Sequence, residues 1–195
     1  MSKKRRRAQF PQLEEIEAEL QRLQNRKTYN RALRSTVYTL VVVAAIAVLV
    51  AMLCLPVMKV SGTSMEPNLN TDDIIMGVKT GSFSTGDICC FYYNNKLLLK
   101  RVIANAGDWV EIDEDGHVYV NGTMIDEPYV QELSYGICDI SYPYQVPDGQ
   151  VFVLGDNRAT SVDSRSSVIG CINVDEIVGK VLLRIWPLRE ISIIR

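Results

Sequence analysis

An uncharged stretch of 23 residues, Thr36 to Met58, constrains the chain more than any other feature of its sequence. As an α-helix rising ~1.5 Å per residue it spans about 34 Å, enough to cross a bilayer hydrocarbon core of roughly 30 Å. A cleavable signal sequence usually has a shorter apolar core that ends in a small-residue cleavage site, which PVMK at 56–59 does not resemble. We therefore interpret residues 36–58 as an uncleaved transmembrane helix; the alternative is a buried helix of a soluble protein.

Charge is distributed unevenly on the two sides of this stretch. Residues 1–35 carry ten Lys/Arg and four Glu, a net charge of +6, whereas residues 36–195 carry eleven Lys/Arg and nineteen Asp/Glu, a net charge of −8. Because basic segments stay on the cytoplasmic side, we expect a single-pass cell-membrane protein with residues 1–35 in the cytoplasm and residues 59–195 outside it. The net negative charge of residues 36–195 would repel phosphates, which argues against nucleic acid as a partner. The apolar stretch makes the lipid bilayer an expected partner.

The regions that flank this stretch differ in periodicity. In residues 12–34 apolar side chains recur at helical spacing, which predicts either a solvated cytoplasmic helix or a short coiled coil. After residue 59, β-branched or aromatic runs alternate with turn residues, which predicts a mostly β fold: a domain of coiled antiparallel β-sheet over residues 59–195. The predicted strands lie within residues 71–79, 86–93, 96–104, 108–113, 117–122, 149–156 and 177–187.

Five cysteines and a single histidine limit the possible chemistry. Cys89 and Cys90 are adjacent in a predicted strand, where they would point to opposite faces as small core residues. Cys138 and Cys171 could form a disulfide outside the cytoplasm, which the sequence leaves open. No spacing resembles a zinc site. His117 follows a turn glycine, where a solvent-facing side chain is expected, so a serine nucleophile would need a different base.

Lys100 and Ser64 are candidates for such a base and its nucleophile. Lys100 lies in the apolar run KLLLKRVIA, and on a strand it shares a face with Leu98 and Val102. Desolvation there would lower the pKa of the lysine from ~10.4. Ser64 lies in VSGTSMEPNL, six residues after the uncharged stretch, where Gly62 permits a tight turn. Taken alone, this segment is also compatible with a polar loop.

A third segment, GDNRATSVDSR at residues 155–165, follows the apolar run VFVL. Its charges alternate in sign, so Asp156, Arg158, Asp163 and Arg165 could pair with one another and rigidify a functional loop. The alternative is a solvated charged loop of little consequence, which is the usual role of a charge run.

Together the three segments closely resemble the type I signal peptidases, in the compact Gram-positive-like form with one N-terminal span. The resemblance runs from the span to about residue 181, and its parts occur in family order. These parts are SGTSMEPNL around Ser64, TGDICCF at 85–91, KRVIANAGD at 100–108, VYVNG at 118–122 and GDNRATSVDSR at 155–165. The resemblance implies a membrane-bound serine endopeptidase with a Ser/Lys dyad and no cofactor, which removes signal peptides from secreted preproteins after a small-x-small motif.

The resemblance also implies roles for individual residues. Ser64 would be the nucleophile, Lys100 the general base, and Ser161 the residue that hydrogen-bonds and orients the lysine. Ion pairs that brace the site are implied for Asp156, Arg101, Asp163 and Arg165. Shallow apolar pockets for the small substrate residues are implied to be lined by Val60, Met65, Leu69, Leu98 and Leu99.

The sequence departs from the family pattern at three places. Asn68 replaces a threonine, Cys89-Cys90 replaces a valine pair, and Gly62 stands where longer Gram-negative relatives have a serine that helps to stabilise the oxyanion. The backbone N–H of Ser64 is therefore the one oxyanion donor that the sequence identifies.

The sequence also allows two alternatives to a signal peptidase. A self-cleaving Ser/Lys protease like the SOS-response repressors would carry a DNA-binding domain and no span. An anchored β module that binds a partner without catalysis would keep the framework turns but could lose Ser64 or Lys100.

Overall fold

One long helix forms the N-terminal part of the chain. The computed structural model describes residues 13–194, and helix α1 spans Leu13–Cys54. It is continuous through most of the predicted cytoplasmic helix and of the predicted span, because neither glycine nor proline occurs between Leu13 and Pro56. It ends four residues before the predicted end of the span, since a proline disfavours helical geometry in the residue before it. The expectations for residues 1–12, which include the most basic part of the N-terminus, lie outside the described residues.

The segment Glu19–Ala51 of this helix is long and apolar enough to cross a membrane, with a mean hydropathy of 2.1 over its most apolar 18 residues. None of those 18 residues is buried. Because a core helix of a soluble protein would be covered by other elements, this exposure argues against the soluble alternative and favours a membrane span.

The chain after α1 folds into short antiparallel strands, and the predicted mostly β class is confirmed. The seven segments predicted as strands are confirmed as β2, β3, β4, β5, β6, β9 and β11. The strands are β1 (Val57–Lys59), β2 (Ile74–Val78), β3 (Ile88–Tyr93), β4 (Lys96–Asn105), β5 (Trp109–Ile112), β6 (Val118–Val120), β7 (Thr123–Met124), β8 (Tyr144–Gln145), β9 (Gln150–Leu154), β10 (Ile172–Asn173), β11 (Ile177–Trp186) and β12 (Ser192–Ile193). Short 3-10 turns lie at Val174–Glu176 and Leu188–Glu190.

The strands form two sheets. The larger sheet has the order β1-β2-β11-β3-β4-β9-β10, with β12 also paired to β11, and the smaller has the order β7-β6-β5-β8. Strand β4 lies between β3 and β9, and Arg101 pairs with Leu154 at the end of β9. This register brings the loop that follows β9, residues 155–165, next to the middle of β4.

Three apolar clusters form the core, and β4 contributes to all of them. The Leu99 cluster comprises Val60, Met65, Leu69, Ile75, Ile88, Cys90, Leu99 and Val181. The Val102 cluster comprises Cys89, Phe91, Val102, Val151, Val153, Ile172 and Ile177. The third joins the two sheets through Ile103, Ala104, Val110, Ile112, Val118, Val146, Phe152 and Leu154. Cys89 and Cys90 belong to different clusters, which confirms that they point to opposite faces of β3 as small core residues.

Candidate active site

Strand β4 carries two buried basic side chains at neighbouring positions. Lys100 and Arg101 are each 2% exposed. Successive residues of a strand point to opposite faces, so the two side chains lie in different surroundings. Lys100 pairs with Cys89 of β3, which belongs to the Val102 cluster.

Ser64 lies in the turn that connects β1 to β2. Gly62 has φ of +94°, a left-handed conformation that glycine adopts without strain. Met65 is buried in the Leu99 cluster and fixes the following turn, while Ser64 itself is half-buried. The Ser64 carbonyl accepts a hydrogen bond from the Asn157 backbone N–H at 3.0 Å, which joins this turn to loop 155–165.

Ser64 and Lys100 line the same surface depression, which has a volume of about 340 Å³ and is called the Ser64 depression below. Its apolar walls are formed by Tyr93, Leu98, Val162, Val168 and Ile169. Within the described residues no hydrogen bond joins the Ser64 hydroxyl to the Lys100 amine. Such contacts are often long in substrate-free enzymes and tighten when substrate binds.

Burial lowers the pKa of Lys100 below its ordinary value of 10.5. The Asp163 carboxylate opposes this shift and the Arg165 guanidinium adds to it. Asp163 is itself bound by Arg165, with 2.8 Å between Oδ1 and Nε, so its charge is largely balanced. A buried amine without a carboxylate of its own favours the neutral form.

Ser161 lies in the same tightly packed region. It is 1% exposed, and its hydroxyl has no hydrogen-bond partner among the described residues. The hydrogen bond expected between Ser161 and Lys100 is therefore not formed in this structure. A Cβ at Gly155 would overlap the Ser161 hydroxyl and lie 2.6 Å from the Ser64 carbonyl oxygen. Only glycine at position 155 allows the two serine-bearing segments to approach this closely.

Arg101 is fully compensated on the other face of β4. It donates two hydrogen bonds to the Asp156 carboxylate, at 2.8 and 2.7 Å. The ring of Tyr129 lies 3.9 Å from the guanidinium carbon, and Asn68 donates a third hydrogen bond to Asp156 at 2.8 Å. This bidentate geometry with added hydrogen bonds is what a buried ion pair needs to offset desolvation.

The pair of Asp163 and Arg165 holds loop 155–165 in place. Both side chains are fully buried, and the Asp163 carboxylate also accepts the Gly155 backbone N–H at 3.0 Å. The Arg165 guanidinium donates to the carbonyls of Tyr135 and Arg158, at 3.0 and 2.8 Å. One arginine thus connects the loop to itself and to the segment that precedes β8.

The alternating charges of this loop pair with one another only in part. Asp163 and Arg165 do so, but Asp156 binds Arg101, and Arg158 binds Glu127 with 3.0 Å between Nη1 and Oε2. The prediction of an internally paired loop is wrong for these two residues, because their partners come from other parts of the chain.

The alternative of a solvated charged loop is also wrong. All four charged side chains of the loop are at most 1% exposed. Nothing in the sequence indicated Glu127, which pairs with Arg158, or Tyr129, whose ring lies over Arg101. Both lie between β7 and β8, in a segment without regular structure, and no local pattern there indicates a contact with the loop.

Only one of the five residues predicted to line apolar pockets, Leu98, lies at the Ser64 depression. The other four are in the Leu99 cluster and are at most 5% exposed. They are Val60, Met65, Leu69 and Leu99. In this structure they form the core that supports the Ser64 turn, while loop residue Val162 and its neighbours supply the exposed apolar wall.

His117 and the remaining cysteines lie away from the Ser64 depression. His117 lies between β5 and β6, is half-exposed as expected, and has its Nδ1 3.1 Å from Asp113. Cys138 and Cys171 are free thiols, so the structure does not contain the disulfide that the sequence left open.

The sequence matches known proteins over most of its length. The family profile described as signal peptidase, peptidase S26, matches residues 33–186. Signal peptidase IB of Staphylococcus aureus is 40% identical over 151 residues, which cover 67% of this chain and 78% of that protein. The chloroplastic thylakoidal processing peptidase 1 of Arabidopsis thaliana is 36% identical over 151 residues, which cover 68% of this chain and 42% of the plant protein. The matched region is thus less than half of that plant relative.

A crystal structure of a signal peptidase I from Enterococcus faecalis V583 is 29% identical, with a TM-score of 0.43, and covers 51% of this chain and 96% of that one. The family match includes the Ser64 turn, strand β4 and loop 155–165, which the fold brings together around one depression. The match extends over more than half of the chain, and this chain therefore belongs to the signal peptidases of peptidase family S26.

Proposed function

We propose that the chain is a membrane-bound serine endopeptidase that removes N-terminal signal peptides from secreted preproteins after a small-x-small motif. Ser64 is the nucleophile and Lys100 the general base. The observation that carries this proposal is the Ser64 depression, where a half-buried serine shares an apolar surface with a buried lysine that has no carboxylate partner of its own.

In the proposed reaction the neutral Lys100 amine removes the proton of the Ser64 hydroxyl as Oγ attacks the scissile carbonyl. The backbone N–H of Ser64 makes no hydrogen bond within the described residues, so it is available to the oxyanion of the tetrahedral intermediate. Collapse of the intermediate transfers the proton from Lys100 to the leaving amine and leaves an acyl ester on Ser64. Water, deprotonated by the same lysine, then hydrolyses the ester.

Loop 155–165 positions these groups. Gly155 lets the Ser64 and Ser161 segments approach. The Arg101–Asp156 pair fixes the loop against β4, and the Asp163–Arg165 pair holds the loop in its own conformation. We assign Ser161 the role of holding the Lys100 amine when substrate displaces solvent, because its buried hydroxyl is otherwise without a partner in the described chain.

Small residues before the cut fit the shape and chemistry of the site. The Ser64 depression is shallow and walled by apolar side chains such as Leu98 and Val162. The substrate binds there as an extended strand, so backbone hydrogen bonds supply affinity and only small side chains allow close contact.

The proposed topology places residues 1–35 in the cytoplasm and the β domain outside it. The excess of basic residues before the apolar segment supports this orientation. Protease added to intact spheroplasts is then expected to digest the β domain and to leave the N-terminal segment protected. Digestion of the N-terminal segment instead would invert the protein and contradict extracytoplasmic cleavage.

The proposed activity is tested with detergent-purified protein and a preprotein whose signal sequence ends in Ala-x-Ala. Mass spectrometry should show one cut after the second alanine. Ser64→Ala should fold and yet lack cleavage, whereas Ser82→Ala, the same change at an exposed serine outside the depression, should cleave normally. Cleavage by Ser64→Ala above background would eliminate the serine mechanism, and no cleavage by the wild type would favour the non-catalytic alternative.

A further inference from the structure

A second depression lies directly beyond Ser64 along the chain. It has a volume of about 320 Å³ and is polar where the Ser64 depression is apolar; it is called the polar depression below. Its walls include Glu66, Gln131, Glu132 and Asn157. None of these residues has a role in the proposed chemistry.

The same two segments of chain line both depressions. Residues 61–64 and Val162 border the Ser64 depression, whereas Glu66 and residues 156–159 border the polar one. The segments are joined at the boundary by the hydrogen bond from the Asn157 N–H to the Ser64 carbonyl. The two depressions therefore adjoin at Ser64 and Asn157, and a peptide whose scissile carbonyl lies at Ser64 is within reach of both.

Which part of the substrate occupies which depression follows from the proposed function. Small residues before the cut occupy the apolar depression, which leaves the polar one for the chain after the cut. A cavity of 320 Å³ is roughly 7 Å across, the length of about two residues of an extended chain. The polar depression can therefore hold the beginning of the mature protein.

The charge of the polar depression is negative. Of its charged lining residues, Asp156 is neutralised by Arg101 and Arg158 by Glu127. Neither Glu66 nor Glu132 belongs to an ion pair within residues 13–194. Two uncompensated carboxylates thus face the space beyond Ser64.

We propose that the polar depression binds the first residues of the mature chain and that Glu66 and Glu132 favour a cationic side chain there. These carboxylates are partly solvated, and each charge contact at such a site changes kcat/KM by about two- to fivefold. The preference should weaken at high salt, because the depression is open to screening ions.

The test uses three preproteins that carry Lys, Gln or Glu at the second residue after the cut and are otherwise identical. The wild type should cleave them in the order Lys, Gln, Glu, with about two- to fivefold between successive substrates. Glu132→Gln and Glu66→Gln should each reduce the Lys-to-Glu ratio. Glu176→Gln, the same change at an exposed residue outside both depressions, should leave that ratio unchanged.

A matched substrate series moves the substitution to the eighth residue after the cut, where the ratio should be close to one. Equal cleavage of all three original substrates, or a ratio unaffected by both depression variants, would overturn the subsite and leave the proposed peptidase activity intact. Failure of the wild type to cleave any substrate would contradict the proposed function itself.

Discussion

Lys100 and Arg101 are neighbours on β4, equally buried and similar in chemistry, yet the fold treats them in opposite ways. Arg101 has a bidentate carboxylate, an aromatic ring and a buried network around it. Lys100 has apolar walls, and the two carboxylates that act on it, Asp163 and Asp156, are each already paired with an arginine. The comparison teaches that this domain can provide a buried cation with a carboxylate partner, and the absence of such a partner at Lys100 supports its proposed role as a base.

The chemistry of arginine and of lysine matches the different surroundings of Arg101 and Lys100. Arginine remains charged in proteins and its planar fork matches a carboxylate, which makes it suitable for a permanent buried ion pair. Lysine loses its proton when it is desolvated without compensation, which makes it suitable as a base. Loop 155–165 serves both faces, since Asp156 compensates Arg101 while Ser161 lies by the Ser64 depression.

Replacement of Lys100 should have the largest effect on the rate of cleavage. Lys100→Arg retains charge but cannot deprotonate, so kcat should fall by at least about 10³-fold, as for Lys100→Ala. Single-turnover cleavage of the Ala-x-Ala preprotein measures the loss. Lys96→Arg, at the exposed start of the same strand, is the matched control. Substantial activity in Lys100→Arg would assign the lysine to an ion pair instead.

Replacement of Arg101, on the opposite face of β4, should lower the stability of the domain. Arg101→Met leaves the buried Asp156 uncompensated and should reduce the free energy of unfolding by about 3–5 kcal/mol. Arg101→Met with Asp156→Leu should recover most of that loss, because no buried charge remains. Urea unfolding followed by near-UV circular dichroism compares these variants.

The exposed pair of Lys59 and Asp72, 2.8 Å apart, provides the control for this stability series. Lys59→Met should cost under about 1 kcal/mol, since exposed ion pairs contribute little. A cost for Arg101→Met no larger than that of Lys59→Met would contradict the contrast between the two faces of β4.

The unpaired lysine should also make stability depend on pH. Its folded-state pKa lies below that of the unfolded chain, so between these values the unfolded state binds more protons. Stability of the wild type relative to Lys100→Met should therefore rise with pH, from the lowered pKa up to about 10.5. Urea unfolding of both proteins across this range measures the difference. A stability difference that stays constant with pH would mean that the amine titrates equally in both states.

The smallest effect is expected at the single histidine. His117→Ala removes a half-exposed contact with Asp113 and should change kcat/KM by less than ~10-fold, about 1.4 kcal/mol. Steady-state cleavage of the same preprotein provides the measurement. A larger loss of kcat/KM would mean that His117 takes part in catalysis, and it would contradict the assignment of Lys100 as the base.

Local pattern was sufficient where local forces decide the structure. The strand of Lys100 and the two-sided placement of Lys100 and Arg101 follow from alternation within KLLLKRVIA, and the turn at Ser64 follows from Gly62. The partners of Asp156 and Arg158 could not be predicted, because Arg101 and Glu127 are 55 and 31 residues away. The early end of α1 was readable from Pro56, whereas the burial of Val60 and Met65 depends on sheet packing that the sequence does not encode locally.

The protonation of Lys100 provides the most direct test of the difference between the two faces of β4. Protein with ¹³C/¹⁵N-labelled lysine is titrated by NMR, and Lys100→Arg identifies the signal of this amine. We predict a midpoint below 10.5 that coincides with the rise of kcat/KM with pH, since only the neutral amine accepts the Ser64 proton. A midpoint at or above 10.5, or an activity profile that rises independently of this titration, would contradict the assignment of Lys100 as the base.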